Sequence, residues 1–239
     1  MYQIYQGDCI DVMNNIQDKS IDMILCDLPY GITENVWDNV IDYEKLWNHY
    51  KRIIKDNGAI VLFSCQRFTH QLIMTNFKMF RYEWIWIKSK PTGFLNANKM
   101  PLRIHENILV FYKKLPTYNA QGLEQREKPL IKTSNASHYG KYGVKSISTH
   151  TNYPSDVLYF NSVVKPSHPT EKPIDLLEYL IKTYTNEGET VLDNCMGSGS
   201  TGIACLRCQR NFIGIELNEE YYYLSKNRLE GEVSCLVKS

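Results

Sequence analysis

No stretch of the 239-residue sequence comes near 18 consecutive uncharged apolar residues, the length at which a membrane-spanning helix becomes a candidate. The opening MYQIYQGDCIDVM has no basic start followed by an apolar run, so a secretory signal is not expected and the expected location is the cytoplasm. Net charge is nearly absent too: the formal value is +1, which excludes a chain that is basic throughout. Internal repeats are missing, and alanine is scarce while tyrosine reaches 17, a drift that says little about function. The seven cysteines are odd in number, and only Cys205 and Cys208 have C-x-x-C spacing. No second Cys or His pair follows at zinc-finger distance, and the pair lies in an apparent helix, so reduced thiols and no metal site are expected.

What is present is enough for a full-sized core. Hydrophobic residues make up 43% and aromatics 12%, which predicts a folded globule rather than a disordered chain. Charge is unevenly spread. Residues 81–150 hold 12 Lys and Arg against 4 Asp and Glu, and the remainder holds 15 against 22. A local basic surface of this kind suits phosphates, although a solvated Lys-rich loop would look the same.

The pattern of apolar residues alternates strand and helix. Ile21–Cys26 (IDMILC) reads as a short strand, Tyr43–Lys55 as a helix closed by Asn57-Gly58, and Ala59–Phe63 as a buried parallel strand. Arg67–Phe77 reads as a second helix, and Tyr82–Lys88 and Asn107–Tyr112 as two strands forming an antiparallel hairpin. Periodicity fades from about Lys113 to Lys165, then resumes with a helix at Ile174–Thr183, a strand at Thr190–Asp193 and a glycine-rich turn at Gly197–Thr201. A helix at Thr201–Arg207, a strand at Phe212–Glu216 and a helix at Glu219–Leu229 follow. The expected fold is α/β, doubly wound and Rossmann-like. Its sheet is mostly parallel with one antiparallel hairpin, and its catalytic domain spans 1–112 and 165–239 around a basic insert at 113–164.

Two motifs carry chemistry. In T-V-L-D-N-C-M-G-S-G-S-T-G-I-A, from Thr190 to Ala204, a strand delivers Asp193 to its carboxyl end, and Gly197 and Gly199 permit a tight turn before a helix. The next strand presents Glu216, 23 residues after Asp193, which suits one β-α-β unit holding a nucleoside by its ribose hydroxyls. Gly197, Gly199 and Gly202 also satisfy the dinucleotide pattern G-x-G-x-x-G, so an NAD-dependent oxidoreductase is a rival reading. The acid ahead of the glycines suits a ligand with sulfonium and ammonium charges better than a pyrophosphate. The second motif, Asp27-Leu28-Pro29-Tyr30, ends an apolar strand, where a plain solvent-exposed turn could hold the same residues. Its chemistry fits adenine, whose amino lone pair is delocalised into the ring. Acceptors at the Asp27 carboxylate and Leu28 carbonyl would favour a pyramidal, nucleophilic nitrogen. Pro29 fixes the turn, and Tyr30 offers an aromatic face to a base removed from its stack.

With these residues in place, the chain resembles the DNA amino-methyltransferases (N6-adenine and N4-cytosine), in the permuted order that puts the D-P-P-Y motif before the cofactor motif D-x-F-x-G-S-G-T-T. Gly7-Asp8-Cys9 resembles the family's G-D segment, and His168-Pro169-Thr170-Glu171-Lys172-Pro173 resembles its H-P-x-x-K-P element. The resemblance covers roughly 1–112 and 165–230. It implies S-adenosylmethionine as cofactor, held by Asp8, Cys9, Lys172, Asp193, Met196, Gly197, Ser198, Gly199, Ser200, Thr201 and Glu216. It also implies transfer of a methyl group to N6 of a flipped-out adenine in double-stranded DNA, because the family often has Asp first for adenine and Ser first for cytosine. Two departures stand out. Leu28 replaces the first proline, which keeps the carbonyl but loosens the turn, and Cys195 replaces the usual phenylalanine. No general base is evident, and Asp27 takes an orienting and electrostatic role. Ser64 is a candidate for the base pocket or a serine at the core edge.

Under the resemblance the insert becomes the target-recognition region. Lys113, Lys114, Arg126, Lys128, Lys132, Lys141 and Lys145 are its phosphate contacts, Asn135, Ser137, His138 and Tyr139 its base-reading candidates, and Tyr139 or Tyr142 its wedge. The remaining rivals are N4-cytosine or RNA as substrate and an inactive DNA-binding subunit. A homodimer and a cognate restriction endonuclease are partners consistent with the resemblance.

Overall fold

The structure, a computed structural model, describes residues 1–29, 41–133, 145–164 and 171–237. Its centre is an eight-stranded sheet in the order β1-β10-β9-β2-β3-β5-β4-β8. The strands are β1 (Tyr2–Gln6), β2 (Ile21–Cys26), β3 (Ile54–Ser64), β4 (Phe80–Thr92), β5 (Arg103–Phe111), β8 (Val157–Phe160), β9 (Thr190–Asp193) and β10 (Asn211–Glu216). β1, β10, β9, β2 and β3 are mutually parallel, β5 runs antiparallel to both β3 and β4, and β8 pairs with β4 in parallel.

The central strands carry continuous apolar stretches, Met23–Cys26 and Ala59–Phe63, because both faces of the sheet are covered there, and successive side chains go to opposite sides. Met23 and Leu25 of β2, with Val61 and Phe63 of β3, pack against Leu176, Leu180 and Ile181 of helix α4 (Ile174–Tyr184). Helices α5 (Ser200–Arg207) and α6 (Glu219–Leu236) complete that layer. Ile24 and Cys26, with Ile60 and Leu62, pack on the other side against Leu46, Tyr50 and Ile53 of α2 (Tyr43–Ile53) and Phe68 and Leu72 of α3 (Gln66–Thr75). Short α1 (Cys9–Met13) lies on that side too. Asp42 caps α2, its carboxylate accepting from the Glu44 and Lys45 amides at 3.0 and 3.2 Å and satisfying N–H donors that the first turn leaves without a partner.

The helix stop expected at Asn57-Gly58 falls elsewhere. α2 ends at Ile53, Ile54 is already extended, and Asn57 and Gly58 lie inside β3. There the β2–β3 register shifts between Ile21 and Met23, and a Cβ on Gly58 would stand 2.8 Å from the Asp22 carbonyl oxygen. The glycine serves a close strand approach at a bulge rather than a helix cap.

The boundaries of the insert also move. The chain divides into one compact unit of Met1–Asn119 with Asp156 onward and a second of Ala120–Ser155, narrower than the expected 113–164. Asn119 is tied to the larger unit, its amide donating to the Thr183 carbonyl at 2.7 Å and its side chain to the Lys182 and Thr185 carbonyls. The smaller unit is a ribbon of antiparallel β6 (Glu124–Thr133) and β7 (Lys145–Thr151). It is largely polar, and its Ile131 and Ile147 are exposed, so no period-2 burial pattern marks its strands in the sequence. No helix among the described residues is long and apolar enough to cross a membrane.

Candidate active site

The parallel strands all end at one edge of the sheet, and the chain reverses its lateral direction between β9 and β2, the place where open α/β sheets form their ligand crevice. A cavity of about 500 Å³ opens there. Gly7 and Asp8 reach it from the end of β1, Asp27 and Leu28 from β2, Asp193 from β9 and Glu216 from β10. Cys9, Lys172, Met196, Gly197, Ser198, Ser200 and Thr201 line it as well. Among the proposed cofactor residues only Gly199 does not line the cavity. It has φ +80, and a Cβ there would lie 2.9 Å from Ser225 Cβ of α6. Gly199 thus shapes the turn and its packing, not the approach of a ligand.

On the cofactor side the acids are satisfied by neutral donors of the glycine loop and neighbouring turns. Thr201 donates its hydroxyl to Asp193 Oδ2 at 2.7 Å, and the Cys195 amide donates to Oδ1 at 3.1 Å. Burial pushes the Asp193 carboxyl up to about 6 against the lowering effect of these donors. The Gly197 amide donates to Glu216 Oε2 at 2.9 Å and the Asn218 amide to Oε1 at 2.8 Å. Burial raises the Glu216 carboxyl, opposed by the same two amides. Asp8 caps α1 through the Ile10 amide at 2.8 Å, and the Gly7 amide donates to the Glu216 carbonyl at 2.9 Å.

Cys195, standing where the resembled family has phenylalanine, joins Cys9 and Cys26 in a cluster of hydrogen-bonded thiols. Burial pushes the Cys26 thiol up to about 12, whereas the Cys195 contact draws that of Cys9 down. All seven cysteines are free, and no metal-holding group of His, Cys, Asp or Glu occurs among the described residues.

The catalytic side is built from charge. Lys172 pairs directly with Asp27, lies 3.6 Å from Glu106 Oε2 and sits 5.1 Å from the Phe63 ring centre. Lys88 of β4 holds the other Glu106 oxygen, Oε1, at 3.0 Å. Burial alone would lower the Lys172 ammonium, but the Asp27 and Glu106 carboxylates outweigh it and raise it. Burial would likewise raise Glu106, and Lys172 and then Lys88 reverse that shift and hold it below the ordinary range. Glu106 Oε2 is buried and accepts no hydrogen bond among the described residues.

Several of these residues lie outside the motifs that mark the sequence. Glu106 reaches Lys172 only through the β4–β5 hairpin. Arg228 of α6 donates to the Ser198 carbonyl at 2.8 Å and to Glu171 at 2.6 Å, and Ser200 donates to the same Glu171 oxygen at 3.0 Å. These bonds tie the segment carrying Lys172 to the glycine loop. Ser64 is fully buried and bonded to Thr69, outside the cavity lining.

Of the residues expected to contact DNA, Lys113 and Lys114 belong to the larger unit and do not line the cavity. Because β5 runs antiparallel to β3, Lys113 and Lys114 emerge at the opposite edge of the sheet. Lys114 pairs there with Asp56 at 3.2 Å, and Lys113 donates to the Lys51 carbonyl at 3.0 Å. Arg126 donates to the His150 carbonyl at 3.0 Å within the ribbon, and Lys128 and Lys145 are exposed on it. Lys132 falls within β6. Tyr30, Asn135, Ser137, His138, Tyr139, Lys141, Tyr142 and His168 lie outside the described residues.

A crevice at the switch point, with an acid-capped glycine loop beside an Asp-Leu-Pro turn, defines a nucleoside-using transferase. The chain belongs to the DNA methylase family, whose model matches residues 21–227. It is an S-adenosylmethionine-dependent enzyme acting on DNA. The type II methyltransferase M2.MboI of Moraxella bovis is 28% identical over 273 residues, an alignment covering 100% of this chain and 90% of that protein. The DNA adenine methyltransferase YhdJ of Escherichia coli (strain K12) is 26% identical over 246 residues, covering 95% and 82%. The crystal structure of the M1.HpyAVI-SAM complex matches with a TM-score of 0.66 and 27% identity, over 96% of this chain and 100% of that one.

Proposed function

We propose that the chain methylates the N6 amino group of adenine in double-stranded DNA, acting on a base turned out of the helix. The observation that carries this reading is that Asp27 and Leu28 open into the same cavity as Asp8, Asp193 and Glu216. The cavity suits a cationic nucleoside: its volume is in the range of small-ligand sites, and buried carboxylates face it. Glu216 and Asp8 would hold the nucleoside part and Asp193 the cationic end. When bound, S-adenosylmethionine supplies an electrophilic methyl carbon on a sulfonium.

The remaining chemistry belongs to the protein. The Asp27 carboxylate and the Leu28 carbonyl accept the amino hydrogens, localise the nitrogen lone pair and offset the positive charge that develops on it. The proton is released to water after transfer. The Lys172 pair occupies the acceptor that the amino group needs. Glu106 gives Lys172 a second counter-ion, so that Asp27 is freed as the base arrives. An aspartate at this position and the adenine enzyme among the relatives favour adenine over cytosine. The β6–β7 ribbon, with Lys128 and Lys145 exposed, is assigned to target recognition. The type II relative favours a cognate restriction endonuclease as biological partner.

The test is Asp27→Ala. Methyl transfer to DNA should fall by at least ~10²-fold, the scale of losing one preorganised transition-state contact, with S-adenosylmethionine affinity unchanged. A variant that kept near-normal turnover would remove Asp27 from the chemistry.

A further inference from the structure

The turn between β4 and β5 is an exposed apolar knob on a basic stalk. Phe94 is 66% exposed, Leu95 100%, Met100 52% and Ile104 42%. Single exposed apolar residues are ordinary, but three on one projecting turn, with Ile104 on the adjoining strand, are a patch that asks for a partner. The turn is folded rather than loose. Gly93 has φ +96 and leads into a one-turn 3₁₀ helix, Phe94–Asn96. The Asn96, Ala97, Lys99 and Met100 amides all donate to backbone carbonyls within the turn, at 2.8–3.1 Å. Leu95 is therefore presented on a preorganised support.

Charge narrows the partner. The segment from Lys88 to His105 contains no acidic residue. Lys90 and Lys99 are exposed, Arg103 is half-buried, and none of the three enters an ion pair among the described residues. Arg103 donates to Gln66 at 3.4 Å, next to exposed Arg67 at the start of α3. A second copy meeting this face by two-fold symmetry would bring these cations against themselves. A polyanion with apolar faces between its charges fits better, and stacked DNA is such a ligand.

Position narrows it further. Asn107 of β5 pairs with Ser64, the last residue of β3. Arg103 lies four residues beyond that pair, so the turn projects roughly 14 Å past the end of β3 at 3.4 Å per residue. That is the edge at which Asp27 meets the cavity. Lys113 and Lys114, at the other end of β5, face away from it.

We propose that Leu95 and Phe94 enter the DNA stack beside the target base and hold the gap open while the base occupies the cavity. Lys90, Lys99 and Arg103 grip the flanking phosphates. This deepens the function proposed above and rests on it. It replaces Tyr139 or Tyr142 as the wedge. Apolar side chains inserted between base steps are a general device for unstacking DNA.

The test uses the full chain with S-adenosylhomocysteine and labelled mixed-sequence duplex for binding, and with S-adenosylmethionine for turnover. Lys90→Ala, Lys99→Ala and Arg103→Ala together should flatten the salt dependence of binding by between two and three in log–log slope, at about 0.9 per phosphate contact. Leu95→Ala and Phe94→Ala should lower kcat/KM on duplex DNA about tenfold or more, with S-adenosylmethionine affinity unchanged. Turnover should recover when the mapped target base is opposite a mismatch, since a base already unpaired needs no wedge. A wild-type salt slope in the triple variant, or wild-type turnover in both apolar variants, overturns the proposal. So does a change in oligomeric state with unchanged DNA kinetics, which would make the knob a contact between copies. If the wild type binds duplex and shows these effects while methylating cytosine, the base assignment fails and the wedge stands.

Discussion

Asp193 and Glu216, on one side of the switch point, are held by neutral donors from the glycine loop and their own turns, whereas Asp27 and Glu106, on the other, are held by lysines. The difference separates two tasks. Backbone amides and a hydroxyl held in the surrounding turns fix each carboxylate together with the backbone that bears it, so the cofactor side is a rigid cradle. An ammonium on a four-carbon stem turns between partners, and Lys172 has two carboxylates within reach, so the catalytic side can change partners during the reaction.

The cradle should break abruptly. Gly199→Val places a β-branched residue at φ +80 with its Cβ against Ser225. The strain, about 1–3 kcal/mol from the backbone conformation alone, should lower Tm by several degrees and weaken S-adenosylmethionine binding by ~10²-fold or more. Calorimetric titration and a thermal melt check both. A variant with normal affinity would show that the turn is not needed to form the cradle.

The lysine side should weaken in graded steps. Glu106→Gln keeps the shape but removes the second counter-ion, so kcat on DNA should fall about tenfold, equivalent to 1.4 kcal/mol of barrier. The cofactor affinity should stay the same. Combined with Lys172→Met, which removes the ammonium, Glu106→Gln should cost little further, because the glutamate acts through the lysine. Losses that simply multiply in the double variant would make Glu106 an independent structural residue.

The smallest effect is in pH dependence. Asp193 titrates at about 6, above the ordinary aspartate value, so the free protein favours its protonated form and loses that contribution to stability as pH rises through about 6. A cationic ligand needs the ionised form. Affinity for S-adenosylmethionine should therefore rise with pH, by up to about tenfold per unit below 6, and level off near 7. Asp193→Asn should abolish the slope, and a flat profile in the unsubstituted chain would separate Asp193 from the cationic end.

The same contrast explains what could be read from the sequence. The cradle is local: Asp193, the glycine turn and Thr201 fall within nine residues, and an acid, two glycines and a helix start are legible at that spacing. Apolar runs such as MILC and AIVLF mark central strands because burial on both faces favours apolar side chains. The charge network is not local. Glu106, Lys88 and Lys172 come from two hairpin strands and a distant segment, and Glu106 looks like any polar residue before a strand core. The ribbon was missed because neither face is buried. The placement of Lys113 and Lys114 was missed because the direction of β5 decides which edge they reach, and composition carries no direction. Leu95 gave no signal because an isolated leucine in a turn resembles a core residue until its exposure is seen.

The most direct test of the account is methyl transfer from labelled S-adenosylmethionine to mixed-sequence duplex DNA by the unsubstituted chain, followed by digestion and identification of the modified nucleoside. The account predicts N6-methyladenine. N4-methylcytosine would keep the fold and the cradle and contradict the base assigned to Asp27.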